Sequence, residues 1–276
     1  VTTDQRMDKI SSYGYALGYI GSCIPFIVGL GLIFIKPFGL ETMEATQISF
    51  LITALWWLGM SIPLLKNVKQ VHALENRADK LSHVFRRLRE TMKKVRKNKK
   101  LFFFTLAYFC YIDGVYTIIS MATAYGGEVG ISETSMVLAL LLTQFVAFPF
   151  AILSGYLAER AGSLKLIKLF ILIYAGVCVF GYQLDQAWEF WAMAVVVGMA
   201  QGGIQSLSRA YFGKLVPKEE SNEYFGFFDI FGKFADFFGP LILSFCAFAF
   251  GSSTYGILAL LILFVIGYVL LSKIPE

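Results

Sequence analysis

Apolar residues in this chain gather into eight blocks, near residues 11–35, 47–65, 101–124, 132–156, 164–184, 188–208, 223–247 and 253–272. Each holds roughly 20 residues, the number a helix needs to cross a hydrocarbon core of about 30 Å. Lipid offers backbone N–H and C=O groups no partners, so such a segment satisfies them internally, as a helix. Transmembrane strands would give alternating segments of about 10 residues, and none is evident. Hydrophobic residues make up 57% and charged residues 16% of the 276, against about 45–50% and about 25% in soluble domains. The predicted fold class is all-α: a polytopic, multi-pass helical membrane protein with eight transmembrane helices.

The net charge of +5 does not mark a nucleic-acid binder, because its distribution follows the membrane. Residues 66–100 hold 13 of the 24 Lys and Arg, as expected of a solvated cytoplasmic loop under the positive-inside bias, able to lie against anionic lipid head groups. Counting spans from that anchor puts Arg6, Lys9, Arg160, Lys165, Lys168, Arg209, Lys214, Lys218 and Lys273 on the same side. The opposite loops hold Lys36 beside Glu41, Glu44, Glu128, Glu133, Asp185 and Glu189. Both termini of the chain are therefore predicted to be cytoplasmic. The basic segment also divides the chain into residues 1–65 with two spans, a linker at 66–100 and residues 101–276 with six. Within the linker, Leu74, Leu81, Val84, Phe85 and Leu88 recur at the spacing of an amphipathic helix. The opening residues, VTTDQRMDKISS, lack both a cleavable signal pattern and an initiator Met, so the numbering is expected to begin inside a longer protein.

Nothing in the residues points to an enzyme, a cofactor or a metal. Cys23, Cys110, Cys178 and Cys246 lie in separate apolar blocks, where a thiol behaves as a small hydrophobe. His72 and His83 fall in the charged linker. Nucleophile-elbow, zinc-protease and phosphate-loop patterns are all missing. The glycines are predicted to serve packing: Gly14, Gly18 and Gly21, and again Gly198, Gly202 and Gly203, stand close to the small-residue spacing that lets helices approach.

The polar residues inside the blocks are the informative ones. Asp, Lys or Arg near the midplane costs about 2.5–3.5 kcal/mol and is expected to face a partner or a wet cavity. A helix starting near Glu223 carries Lys233 and Asp236 roughly 15 to 20 Å deep, with Asp229, Lys233 and Asp236 inside an arc of roughly 60°. Phe231, Phe234 and Phe238 then form an aromatic back. Asp113 lies at similar depth in its own block, with Tyr108, Tyr111, Tyr116 and Thr117 nearby. Lys233 is the one cation placed near the midplane, which makes it the predicted contact of Asp113. Gln144, Gln201 and Gln205 add neutral hydrogen-bonding groups on two further helices. Two aspartates around one lysine leave a negative charge, and burial favours protonation of a carboxylate, so Asp113 or Asp236 is a candidate proton-coupling group.

The loop SGYLAERAGSLK at 154–165 resembles the cytoplasmic signature loop of the major facilitator superfamily. Gly155, Leu157, Arg160 and Gly162 match it, whereas Glu159 stands where Asp is usual and Ser163 departs from a basic position. Residues 198–241, GMAQGGIQSLSRAYFGKLVPKEESNEYFGFFDIFGKFADFFGPL, resemble the subfamily that includes the autophagy-related vacuolar amino-acid effluxer and its bacterial relatives. ISSYGYALGYIGS and AYFCYIDGVYTI are similar to the same subfamily. This resemblance implies that the eight spans match helices 5 to 12 of a twelve-helix carrier, with the N-terminal helices of the same protein as missing partners. It implies a cytoplasmic latch at Gly155, Glu159, Arg160 and Gly162 with Arg209 as partner. It further implies a cavity lined or adjoined by Asp113, Gln144, Gln201, Gln205, Asp229, Lys233 and Asp236, and alternating access between two bundles.

The resulting expectation is a secondary transporter without cofactor, exporting a small polar solute such as an amino acid with protons as coupling ion. Its place is the lipid bilayer of the cell (plasma) membrane rather than the vacuolar one, with no nucleic-acid partner. The competing class is a non-transporting membrane sensor or assembly protein whose intramembrane ion pairs are structural.

Overall fold

The computed structural model describes residues 3–68 and 81–274. After a 3-10 turn at Asp4–Arg6, the helices are α1 (Met7–Ile35), α2 (Thr42–Asn67), α3 (Leu81–Lys97), α4 (Lys99–Glu128), α5 (Glu133–Ala161), α6 (Ser163–Tyr182), α7 (Ala187–Leu215), α8 (Ser221–Phe234), α9 (Phe238–Phe250), α10 (Thr254–Ala259) and α11 (Leu261–Ser272). Eight spans among the described residues are long and apolar enough to cross a membrane, with α8–α9 and α10–α11 each making one of them. They fall on the eight predicted blocks. The chain is an all-α, multi-pass integral membrane protein.

Local chemistry explains where helices begin and end. The Asn98 side chain accepts from Leu101 N at 3.2 Å and starts α4, satisfying one of the donors that a helix N-terminus leaves free. Ser132 does the same for α5. Gly162 ends α5 at φ +89°, a conformation that favours glycine.

Two compact units divide the chain, one of residues 17–78 and one of 1–16 with 79–276. In the first, Ser49 Oγ on α2 reaches Gly29 O on α1 at 3.5 Å, while Trp57, Leu58 and Leu65 are exposed. In the second, α4 to α11 enclose a core built from Phe104, Tyr111, Ile167, Ile204, Phe212 and Phe264. Helices α5 and α7 are in close contact because Gly198 and Gly202 carry no side chain. A Cβ there would stand 2.8 Å from Thr143 O and 2.7 Å from Ala147 O. The other predicted glycine stripe behaves differently, since a Cβ at Gly14, Gly18 or Gly21 meets no atom within 4 Å. Outward-facing Leu169, Leu172, Val179, Phe245 and Phe248 form a surface suited to acyl chains, one a water-soluble monomer would not tolerate at this extent.

Two sequence expectations are corrected. The block at 223–247 is not one helix: α8 stops at Phe234 and α9 starts at Phe238. Pro240 lies in the first turn of α9, where its missing N–H has no intrahelical role. In the linker, Leu74 and His72 lie outside the described residues, and α3 buries Thr91 and Val95, with Leu88 and Met92 half-buried beside them, whereas Phe85 is 67% exposed.

Candidate functional site

A cavity of about 570 Å³ lies within the larger unit, where α4, α7 and α8 face the first turns of α1. Tyr15 comes from α1, Tyr108 and Tyr116 from α4, Arg209 from α7, and Asp229, Gly232 and Lys233 from α8, with Asp236 in the turn that follows. Asp229 and Lys233 are one helical turn apart. Asp236 joins them because the chain leaves the helix at Ala235, not because the helix continues. Arg209 Nη1 donates to Asp229 Oδ1 at 3.0 Å, and its guanidinium stands 5.0 Å from the Phe225 ring centroid. Lys233 and Asp236 make no ion pair among the described residues. The wall therefore presents one closed ion pair and two uncommitted charges of opposite sign.

Asp113 stands behind this wall. It is 1% exposed, and its Oδ1 accepts the Gly239 N–H at 3.0 Å. Gly239 is in the first turn of α9, so a carboxylate meets the positive end of a half-helix inside the span. The expected Asp113–Lys233 pair does not form. On α4, Asp113 is rotated away from the cavity-lining Tyr108, and it reaches α9 instead. Its neighbour Thr117 donates Oγ1 to Asp113 O at 2.7 Å.

The three glutamines do not line the large cavity. Gln201 lines a separate, mainly apolar cavity of about 60 Å³ with Thr117, Thr143 and Val197. Gln205 is half-buried on α7, one turn before Arg209. The buried Oε1 of Gln144 has no hydrogen-bond partner among the described residues.

Residues of the 154–165 motif meet the start of α1. Lys9 Nζ lies 2.7 Å from Glu159 Oε2 and 4.7 Å from the centroid of the Tyr156 ring. A Cβ at Gly155 would stand 2.8 Å from Ser12 Cβ, so glycine permits the crossing. Asp8 is almost fully buried and accepts from Ser163 Oγ at 2.9 Å and Lys214 Nζ at 2.5 Å. Arg160 is exposed, without an ion pair among the described residues. Arg209, expected here, belongs to the cavity instead. Helix α7 runs on to Leu215, so the cation at this end is Lys214.

At the same end, Lys94 of α3 is bound to both carboxylate oxygens of Glu220, at 2.7 and 2.8 Å. These hydrogen bonds hold the Lys94 ammonium above the usual lysine range.

The family model described as "Vacuole effluxer Atg22 like" matches residues 2–276. The "Uncharacterized MFS-type transporter YxiO" of Bacillus subtilis (strain 168) is 46% identical over 100% of this chain and 65% of its own length. "Autophagy-related protein 22-1" of Penicillium rubens is 26% identical over 85% of this chain and 43% of its own length. "Autophagy-related protein 22" of Yarrowia lipolytica is 26% identical, over 85% and 45% respectively. The chain thus spans less than two thirds of the length of these relatives. With its profile matched almost from end to end, the chain belongs to the Vacuole effluxer Atg22 like family.

Proposed function

We propose that the protein containing this chain is a proton-linked secondary transporter of the major facilitator type, exporting a small polar solute such as an amino acid. The observation that carries this reading is the cavity of about 570 Å³ whose wall holds Lys233 and Asp236 without ion-pair partners among the described residues, beside a broken span. Irregular backbone at membrane depth is tolerated where it lines a water-filled cavity or is buried in protein, and discontinuous helices are a recurring way to build transporter sites. The name of one relative, an MFS-type transporter, and the description of the family, vacuole effluxer, support the class.

In this reading Lys233 meets a solute carboxylate and Asp236 an ammonium group, which suits a zwitterion. Arg209 and Asp229 form the neighbouring pair that a charged solute can divide. Asp113 is the proton site: protonation removes the charge that Gly239 and the α9 N-terminus attract, and so loosens the α8–α9 joint. Gln144, Gln201 and Gln205 adjoin the path. Residues 1–65 belong to one bundle and 101–276 to the other, with 66–100 as a cytoplasmic linker and both termini of the chain cytoplasmic in the cell membrane. Gly155, Glu159, Arg160 and Gly162, joined by Lys9, Asp8 and Lys214, form the cytoplasmic latch of an alternating-access cycle.

Counterflow of radiolabelled amino acids into proteoliposomes carrying the full-length protein tests this. Lys233→Ala should abolish counterflow, and Asp113→Asn should keep counterflow while losing the dependence on a pH gradient. Unchanged flux and unchanged pH dependence in Lys233→Ala would remove the proposed role, and a properly folded protein moving no solute would favour the sensor class.

A further inference from the structure

Helix α3 has two faces of different chemistry. Leu88, Thr91, Met92 and Val95 pack inward, and Lys94 is tied to Glu220. The opposite arc, roughly 140° wide at 100° per residue, carries exposed Arg86, Arg89, Lys93, Arg96 and Lys97 with Glu90 as its single acid. None of these five cations makes an ion pair among the described residues. Phe85, 67% exposed, stands on the same arc.

Position decides what this face meets. Helix α4, a membrane span, begins at Lys99, directly after Asn98. At about 1.5 Å per residue, Arg89 lies at most about 15 Å from that point and Lys93 about 9 Å. The nearer cations are thus within about one Debye length, roughly 8 Å at physiological ionic strength, of the bilayer surface. We propose that the outward face of α3 binds the anionic phospholipid head groups of the leaflet at which α4 begins. Lys93, Arg96 and Lys97 stand nearest the head-group phosphates, Arg89 and Arg86 continue the same array, and Phe85 at its far end offers a ring of the kind that settles at a membrane interface. Because the inward face is docked, the cations are held in one array before lipid arrives. Lys94 then links the array to Glu220, directly before α8, the helix that bears Asp229 and Lys233.

The test needs no transport assay, so its failure is separable from failure of the transport reading. The full-length protein is placed in nanodiscs of phosphatidylcholine alone or mixed with phosphatidylglycerol, and retained lipid is counted by native mass spectrometry, beside thermal midpoints. Phosphatidylglycerol should be enriched on the wild type, and the enrichment should fall as salt rises. R86Q/R89Q/K93Q/R96Q/K97Q should lower it at least roughly tenfold, given up to about fivefold per charge at an anionic surface. Glu90→Lys, which adds a cation to the same arc, should raise it. Both variants should keep the wild-type midpoint in phosphatidylcholine. If the fivefold substitution does not fold, the salt titration of the wild type and Glu90→Lys carry the test. Equal retention in wild type and variants, insensitivity to salt, or the same stabilisation by soluble inorganic phosphate would overturn the proposal.

Discussion

Gly239→Ala is the most revealing single change at the broken span. A Cβ built on Gly239 would stand 1.7 Å from Thr117 Oγ1, 2.7 Å from Thr117 Cβ and 3.0 Å from Thr117 Cγ2. Non-bonded heavy atoms settle at about 3.5–4.0 Å, so the first turn of α9 must withdraw by roughly 1.5–2 Å unless Thr117 rotates. Thr117 resists rotation because its Oγ1 is bonded to Asp113 O. A withdrawal of that size carries Gly239 N, now 3.0 Å from Asp113 Oδ1, beyond hydrogen-bond reach. Overpacking costs about 1–3 kcal/mol, and loss of a hydrogen bond to a charged group about 1.5–3 kcal/mol. The expected destabilisation is therefore about 2.5–6 kcal/mol, read as a lowered thermal midpoint of the full-length protein in detergent. Thr117→Ala removes the two outer atoms and leaves a contact at 2.7 Å, so Gly239→Ala with Thr117→Ala should regain part of the loss, whereas Thr117→Ala alone should be mild. An unchanged midpoint in Gly239→Ala, or a double variant no better than the single one, would refute the claim that α9 is held against α4 through this contact.

Further changes separate tight contacts from loose ones. Gly202→Ala places a Cβ 2.7 Å from the Ala147 carbonyl oxygen, and backbone yields little, so a loss of about 1–3 kcal/mol is expected; Gly176→Ala meets nothing within 4 Å and should be neutral or stabilising by up to about 1 kcal/mol. Asp8→Ala strips a carboxylate whose side chain is 4% exposed from Lys214 and Ser163 and should cost about 1.5–3 kcal/mol, while Lys9→Ala breaks a pair exposed by about a third and should cost under about 1 kcal/mol. Thermal midpoints in detergent rank all four. Glu220→Gln should leave global stability within about 1 kcal/mol but speed amide exchange in α3. Since Glu220 raises the Lys94 pKa, the contact's contribution is complete below the unfolded lysine value of about 10.4 and fades only above it, so wild-type protection of α3, after correction for intrinsic exchange, should be flat from neutrality to about pH 10.

The spans were legible because lipid imposes a length and a composition on each helix separately, without reference to its neighbours. Periodicity also brought Asp229 and Lys233 to one wall. Asp236 joins the same wall for a different reason, because α8 ends at Phe234 and a turn, not a helical repeat, keeps Asp236 beside them. The break was hard to read from proline alone: Pro25, Pro63 and Pro149 lie inside unbroken helices. What distinguishes Pro240 is Gly239 before it, which lets Thr117 and Asp113 approach the freed backbone. Partner choice was the least legible property. Asp113 takes a backbone N–H in place of Lys233, and Glu159 takes Lys9 in place of Arg209, since both choices depend on how neighbouring helices are rotated.

The broken span also explains why charge is retained at this depth. Ending α8 inside the bilayer leaves carbonyl oxygens unbonded at Phe234 and before it, and starting α9 leaves N–H groups unbonded. These ends carry partial negative and positive charge respectively. Lys233 sits in the last turn of α8, and Asp113 binds the first turn of α9, so each half-helix end is matched by a side chain of opposite sign. An all-apolar sequence would leave both ends of the break without a side chain of opposite sign, and an unbroken helix would offer Asp113 no N–H. Break, lysine and aspartate therefore stabilise one another, and changing the charge of either residue shifts the balance at the joint from which the cavity wall is built.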